Sequence, residues 1–166
     1  MTLTPDPVGP GQESVWDYPR PPALQKAVQH LRIVHGGVVL ADTRHGFRTL
    51  ETSHPPTFYF PPADIGMALL QPSSARGSFC EWKGNAVYWD VAIPGTMLLR
   101  GVGWSYPAPT AHFAALRDHI AFYAAPFDEA TVDGEKVRPQ PGGFYGGWIT
   151  SAVAGPFKGI PGSQFW

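Results

Sequence analysis

The sequence predicts a mostly β domain, a single compact antiparallel barrel-like or tent-like fold with a few short helices. Three observations carry the prediction. Glycine and proline contribute 19 residues each to a chain of 166, about twice their ordinary combined share of ~12%, and both interrupt a helical ladder. Short apolar or alternating runs recur with turn signals at intervals of about 8–12 residues, as in small barrels and sandwiches. Hydrophobic residues make up 43% and aromatics 13%, enough to bury a core and to exclude disorder of the whole chain. No βαβ rhythm is present, which argues against a parallel nucleotide-binding sheet.

Residues 1–22 read as a Pro-rich arm that stays extended, with Trp16 and Tyr18 anchoring it to the body. Residues 23–138 form the β domain. Leu24 to His30 suits one or two helical turns before the strand Leu31–Val34. His35-Gly36-Gly37 then signals a hairpin returning along Val38–Ala41. Phe47–Thr52 alternates as a half-buried strand, and Thr57–Phe60 is a short β run between Pro55-Pro56 and Pro61-Pro62. Asp64–Leu70 suits a short helix with Ile65, Ala68 and Leu69 on one face. Asn85–Ile93 and Thr96–Val102 read as strands joined at Pro94-Gly95. Thr110 is placed to cap a helix through Leu116-Arg117, and Ile120–Tyr123 is a late apolar strand. Residues 139–166 form a Gly/Pro/aromatic extension packed on the same domain, because its exposed aromatics would otherwise exceed the ~400 Å² patch that soluble monomers tolerate.

Composition also bounds function. A net charge of −1 leaves no electrostatic footprint for nucleic acid. No window approaches the 18 apolar residues of a membrane span, and residues 1–11 lack the basic and apolar regions of a signal peptide. The expected location is cytoplasmic, the expected state a monomer or homodimer. One cysteine, Cys80, excludes an intrachain disulfide and a multi-cysteine zinc site. The six histidines show no chelating spacing, so no metal and no cofactor are expected.

Standard catalytic signatures are missing: there is no P-loop, no G-x-G-x-x-G and no nucleophile elbow. Gly142-Gly143-Phe144-Tyr145-Gly146-Gly147 lacks the lysine and following helix of a phosphate cradle and reads as a turn between aromatic contacts. Arg44 and Arg48, with Asp42 and Glu51 near in sequence, bind an anion or pair across strands. Trp82-Lys83-Gly84 is echoed by Phe157-Lys158-Gly159, too short an echo to be a repeat. The densest polar cluster among aromatics is Ser78 to Ala86. Cys80 there is either a small buried hydrophobe or a thiolate beside Lys83. Trp82, Trp89 and Trp104, with Tyr88 and Tyr106, supply core area or line a concave site for a flat ligand. Strand alternation puts Ala86, Tyr88 and Asp90 on one face and Val87, Trp89 and Val91 on the other, making Trp89 the core residue.

Five spaced motifs occur in order: Val38-Val39-Leu40-Ala41-Asp42-Thr43; Leu50-Glu51-Thr52 with His54 to Pro61; Cys80-x-x-Lys83-Gly84-x-Ala86-x-Tyr88-Trp89; Trp104-x-Tyr106-Pro107-x-Pro109; and Ala121-Phe122-Tyr123. This series, over residues 31–125, resembles the bacterial and fungal domain-of-unknown-function family 427, sometimes labelled nucleotidyltransferase-like. The arm and the Trp-bearing tail resemble a longer subgroup. The resemblance implies a barrel-like or tent-like antiparallel fold with no settled activity. Nucleotidyltransfer needs paired carboxylates holding two metals, and this chain has no Asp-x-Asp.

The function expected is small-molecule binding in an aromatic cage lined by Arg44, Cys80, Trp82, Lys83, Tyr88 and Trp104, with a small aromatic or heterocyclic ligand. The rings supply stacking area, Lys83 orients an acceptor or anion, and Arg44 assists. A cysteine-dependent enzyme with Cys80 as nucleophile is the first alternative, and a structural or interaction module is the second.

Overall fold

The computed structural model describes residues 3–75 and 77–166. Sixteen short strands carry the described chain, and helix is confined to 3-10 turns at Val15–Asp17, Pro62–Asp64, Met67–Leu69 and Ala111–Leu116. The molecule is mostly β and built from several mainly antiparallel sheets that do not close into a barrel.

The first sheet is the predicted hairpin, β3 (Leu31–His35) and β4 (Val38–Thr43), extended on the β3 side by β12 (Glu129–Val132) and then β13 (Glu135–Lys136). Gly36 and Gly37 both take positive φ at the turn, a conformation that costs glycine little. The second sheet runs β2 (Ala23–Lys26), β5 (Phe47–Leu50), β6 (Thr57–Tyr59). The expected helix at Leu24–His30 is therefore a correction. Ala23–Lys26 pairs residue by residue with Leu50–Phe47, and that ladder outweighs a weak local helical preference.

The third sheet is β11 (Ile120–Phe122), β10 (Leu99–Ser105), β9 (Gly84–Val91) and β7 (Leu70–Pro72), with β8 (Ser78–Cys80) also on β9. The strand expected at Thr96–Val102 runs later, because Thr96 closes the turn by bonding the Ile93 carbonyl through both its backbone N–H and its hydroxyl. Thr110 makes no side-chain cap; its hydroxyl donates to the Trp82 carbonyl at 2.6 Å. A bridge between Phe60 and Ile120 joins the second and third sheets edge to edge.

The joined sheets have two faces. One packs on the hairpin sheet, where Leu31, Ile33, Leu40, Phe58, Phe60, Val91, Val102, Ile120, Phe122 and Val132 form the main apolar core. The other carries Tyr59, Ala86, Trp104, Tyr106, Phe113, Leu116 and Ala121. Trp89 follows the predicted alternation onto the core side, but it is half-buried and its indole N–H donates to Ser105 Oγ at 2.9 Å. On that same side Val87 is exposed, while Asp90 on the opposite side is buried and accepts the Gly101 N–H at 2.7 Å.

Both ends lie on this body. Val15 and Tyr18 of the arm are buried with Leu50, Ile149 and Val153, and β1 (Glu13–Ser14) pairs in parallel with β16 (Val153–Ala154). Trp16 packs edge-on against Trp166 and donates to the Pro156 carbonyl. In the tail, β14 (Arg138–Pro139) pairs with β15 (Trp148–Ile149). Trp148 is 1% exposed and donates its indole N–H to the Phe122 carbonyl at 2.9 Å. Phe144 and Phe165 remain exposed.

Candidate functional site

On the aromatic face a cavity of about 660 Å³ opens between the second sheet, the third sheet and the tail. Five of the six residues proposed from sequence line it: Cys80, Trp82, Lys83, Tyr88 and Trp104. They converge because β8 and β9 form a tight hairpin. Cys80 pairs with Gly84, and Gly84 takes a positive φ of 110° that turns the chain back. The turn is pinned from outside by Thr110, whose N–H donates to the Lys83 carbonyl and whose hydroxyl donates to the Trp82 carbonyl. Tyr88 follows along β9 and faces Trp104, its register partner on β10.

Lys83 Nζ lies 4.0 Å from Cys80 Sγ and 5.9 Å from the centre of the Phe113 ring. Arg44 stands apart. It is exposed between β4 and β5 and outside the cavity wall. The charge pairs expected around it are also rearranged: Arg48 binds Glu13 at 2.9 Å, Arg20 binds Glu51 at 3.2 Å, and Asp42 accepts from His30 and Arg32.

Tyr106, already singled out in the sequence, and several residues not anticipated there complete the wall. Tyr59 and Tyr106 lie at the buried side, 1% and 5% exposed, and burial pushes both phenols well above their ordinary range. Tyr123 packs at a tilt on Trp104, ring centres 4.7 Å apart, and donates its hydroxyl to the Phe144 carbonyl. The tail supplies Gln140, Phe144, Tyr145, Gly146 and Lys158. Gly146 permits this approach, since a Cβ there would overlap the Trp104 ring. Lys158 sits 5.7 Å above the Tyr145 ring. The short Lys-Gly echo was thus the one sequence signal for Lys158, because both of its lysines line this cavity.

One polar chain holds the tail to the cavity. Gln140 is buried, and its Oε1 accepts the Gly147 N–H while its Nε2 donates to the Lys158 carbonyl and to His54 Nδ1 at 3.0 Å. An accepting Nδ1 fixes the neutral tautomer with the proton on Nε2, which points to Glu51 at 3.5 Å. Burial pushes the His54 imidazole down to about 4, against the opposing pull of the Glu51 carboxylate.

Among the described residues no group of three or more His, Cys, Asp or Glu side chains is placed to hold a metal ion. No described helix is long and apolar enough to cross a membrane. Chemically, the cavity offers π-faces, phenol donors, one thiol, the His54 imidazole, two ammonium groups and the carboxylates of Glu51 and Glu81. Comparison with curated proteins finds no match. A family model described as a domain of unknown function, DUF427, matches residues 23–134. With most of its sheet framework and the Cys80–Tyr106 wall of its cavity inside that match, the chain belongs to the DUF427 family.

Proposed function

We propose that this protein is a small-molecule-binding domain whose cavity takes a planar aromatic or heterocyclic ligand. The observation that carries the reading is a cavity of about 660 Å³ walled by Trp82, Tyr88, Trp104 and Tyr123, within the roughly 300–1,000 Å³ of ligand pockets. Stacking on these rings supplies affinity, and Lys83 orients an acceptor or anionic group. In this reading the protein works in the cytoplasm as a monomer or homodimer, without nucleic-acid or membrane partners. Titration of 2-naphthoate into the full chain, followed by calorimetry, tests it. Saturable one-to-one binding that weakens in Trp82→Ala and Lys83→Met supports the reading. Absence of binding to the folded wild type overturns it.

A cysteine-dependent reaction is the second reading, carried by the Lys83 ammonium 4.0 Å from Cys80 Sγ. In it Cys80 is the nucleophile and Lys83 pairs with its thiolate. Rapid alkylation of Cys80 by iodoacetamide at neutral pH moves weight to this reading, and slow alkylation removes it.

A further inference from the structure

Two buried tyrosines in the cavity wall place their hydroxyls close to one another. Tyr59 and Tyr106 are both more than nine-tenths buried and both line the cavity. Among the described residues neither hydroxyl makes a hydrogen bond within 3.5 Å. Thr49, Trp104 and Tyr106 approach the Tyr59 hydroxyl closely enough to favour its ionised form, yet burial dominates and holds the group protonated. Burial likewise dominates at Tyr106, which also feels Tyr59, Lys83 and Cys80. The two phenols are therefore neighbouring donors, each with a proton to offer.

Packing alone does not account for them. Tyr59 lies between Phe58 and Phe60, whose rings fill the apolar core on the other side of the strand. A phenylalanine at 59 would bury the same ring without placing a hydroxyl on the cavity wall. Both residues line the cavity, so a partner beyond their protein neighbours comes from its contents. The surrounding groups sort what that partner is: a protonated phenol gives a directed donor, and a second one beside it converges on a single oxygen with two lone pairs.

We propose that Tyr59 and Tyr106 form a paired hydroxyl clamp for one acceptor oxygen, so that the cavity selects planar ligands carrying a carbonyl-type oxygen at their buried end. The inference rests on the small-molecule reading and adds a ligand class and an orientation: ring between Trp82 and Trp104, oxygen toward Tyr59.

The test uses two probes of matched shape on the full chain, 2-acetylnaphthalene and 2-isopropylnaphthalene. The ketone binds the wild type more tightly than the hydrocarbon. Tyr59→Phe and Tyr106→Phe each weaken the ketone about three- to tenfold, the value of one neutral hydrogen bond, while the hydrocarbon changes less than about twofold. Infrared spectra give an independent measurement: the ketone carbonyl band moves to lower frequency on binding and returns part-way in Tyr106→Phe. That band and Tyr106→Phe keep the test decisive should Tyr59→Phe fail to fold. Ketone binding that is insensitive to both substitutions, with an unshifted band, overturns the clamp and leaves the small-molecule reading standing. Failure of both probes to bind folded wild-type protein overturns the two together.

Discussion

The two faces of the joined sheets are made from the same strands and behave differently. On β6 and the residue after it, Phe58 and Phe60 enter the main core while Tyr59 enters the cavity wall. At β11, Ile120 and Phe122 go to the core while Ala121 and Tyr123 go to the cavity side. Strand alternation sends hydrocarbon one way and rings with polar atoms the other. The first face has a whole sheet to pack on and closes. The second is faced by a short hairpin turn and a Gly-rich tail, and it stays open at about 660 Å³. A strand sequence that reads as uniformly aromatic thus builds a closed core and a concave wall at once.

The largest break in this contrast comes from the closed face. Trp148 is 1% exposed, packs on Phe58 and Phe60, and bonds the Phe122 carbonyl. Trp148→Ala is expected to cost about 3–5 kcal/mol of unfolding free energy, read from denaturant melts. A loss below about 1 kcal/mol would show that the tail is not part of the core.

The polar chain between the faces responds to pH. His54 is held down to about 4 in the folded protein, below its ordinary value near ~6.5, so the unfolded chain takes up the proton first. The stability contributed by neutral His54 is complete above about pH 6.5 and is lost as pH falls toward 4, at most about 3 kcal/mol. Denaturant midpoints between pH 7 and 4 measure the slope, and His54→Gln should flatten it. An unchanged slope in that variant would remove His54 from the account.

On the open face, Trp82→Ala is expected to weaken 2-naphthoate binding by about 1–3 kcal/mol through lost stacking and burial. Its effect on unfolding should be smaller than that of Trp148→Ala, because Trp82 is only half-buried on the hairpin turn. If melts show the reverse order, Trp82 is a core residue and the contrast between the faces fails there. Smallest of all, Arg44→Ala should change 2-naphthoate affinity and stability by no more than about 0.5 kcal/mol, since Arg44 is exposed and outside the cavity. A larger change in affinity would extend the site beyond its visible wall.

Much of the strand framework was legible because its signals are local. His35-Gly36-Gly37 marks a turn by backbone conformation alone, and alternation along Asn85–Val91 assigns Tyr88 and Trp89 to opposite faces. Thr57–Tyr59 is bounded by prolines that cannot continue a ladder. The helix expected over Leu24–His30 misled because its few residues carry too little local preference to resist pairing with β5. Cys80, Trp82, Lys83, Tyr88 and Trp104 could be grouped because they belong to three neighbouring strands and one turn. Gln140, Tyr145 and Lys158 could not, since they sit in a segment without periodicity that reaches the cavity only by folding back over Trp104.

By itself, then, the sequence determined the class of fold, the hairpin at His35-Gly36-Gly37 and the two faces of the strand over Asn85–Val91, since these follow from breakers, turn residues and the two-residue period of a strand. Tertiary structure alone decided which charges pair, that Arg44 lies apart, and that Gln140 couples His54 to the tail. It also decided that Tyr59 and Tyr106 face a shared space. Those outcomes depend on residues far apart in the chain meeting at distances of a few ångströms, and no local period encodes such meetings.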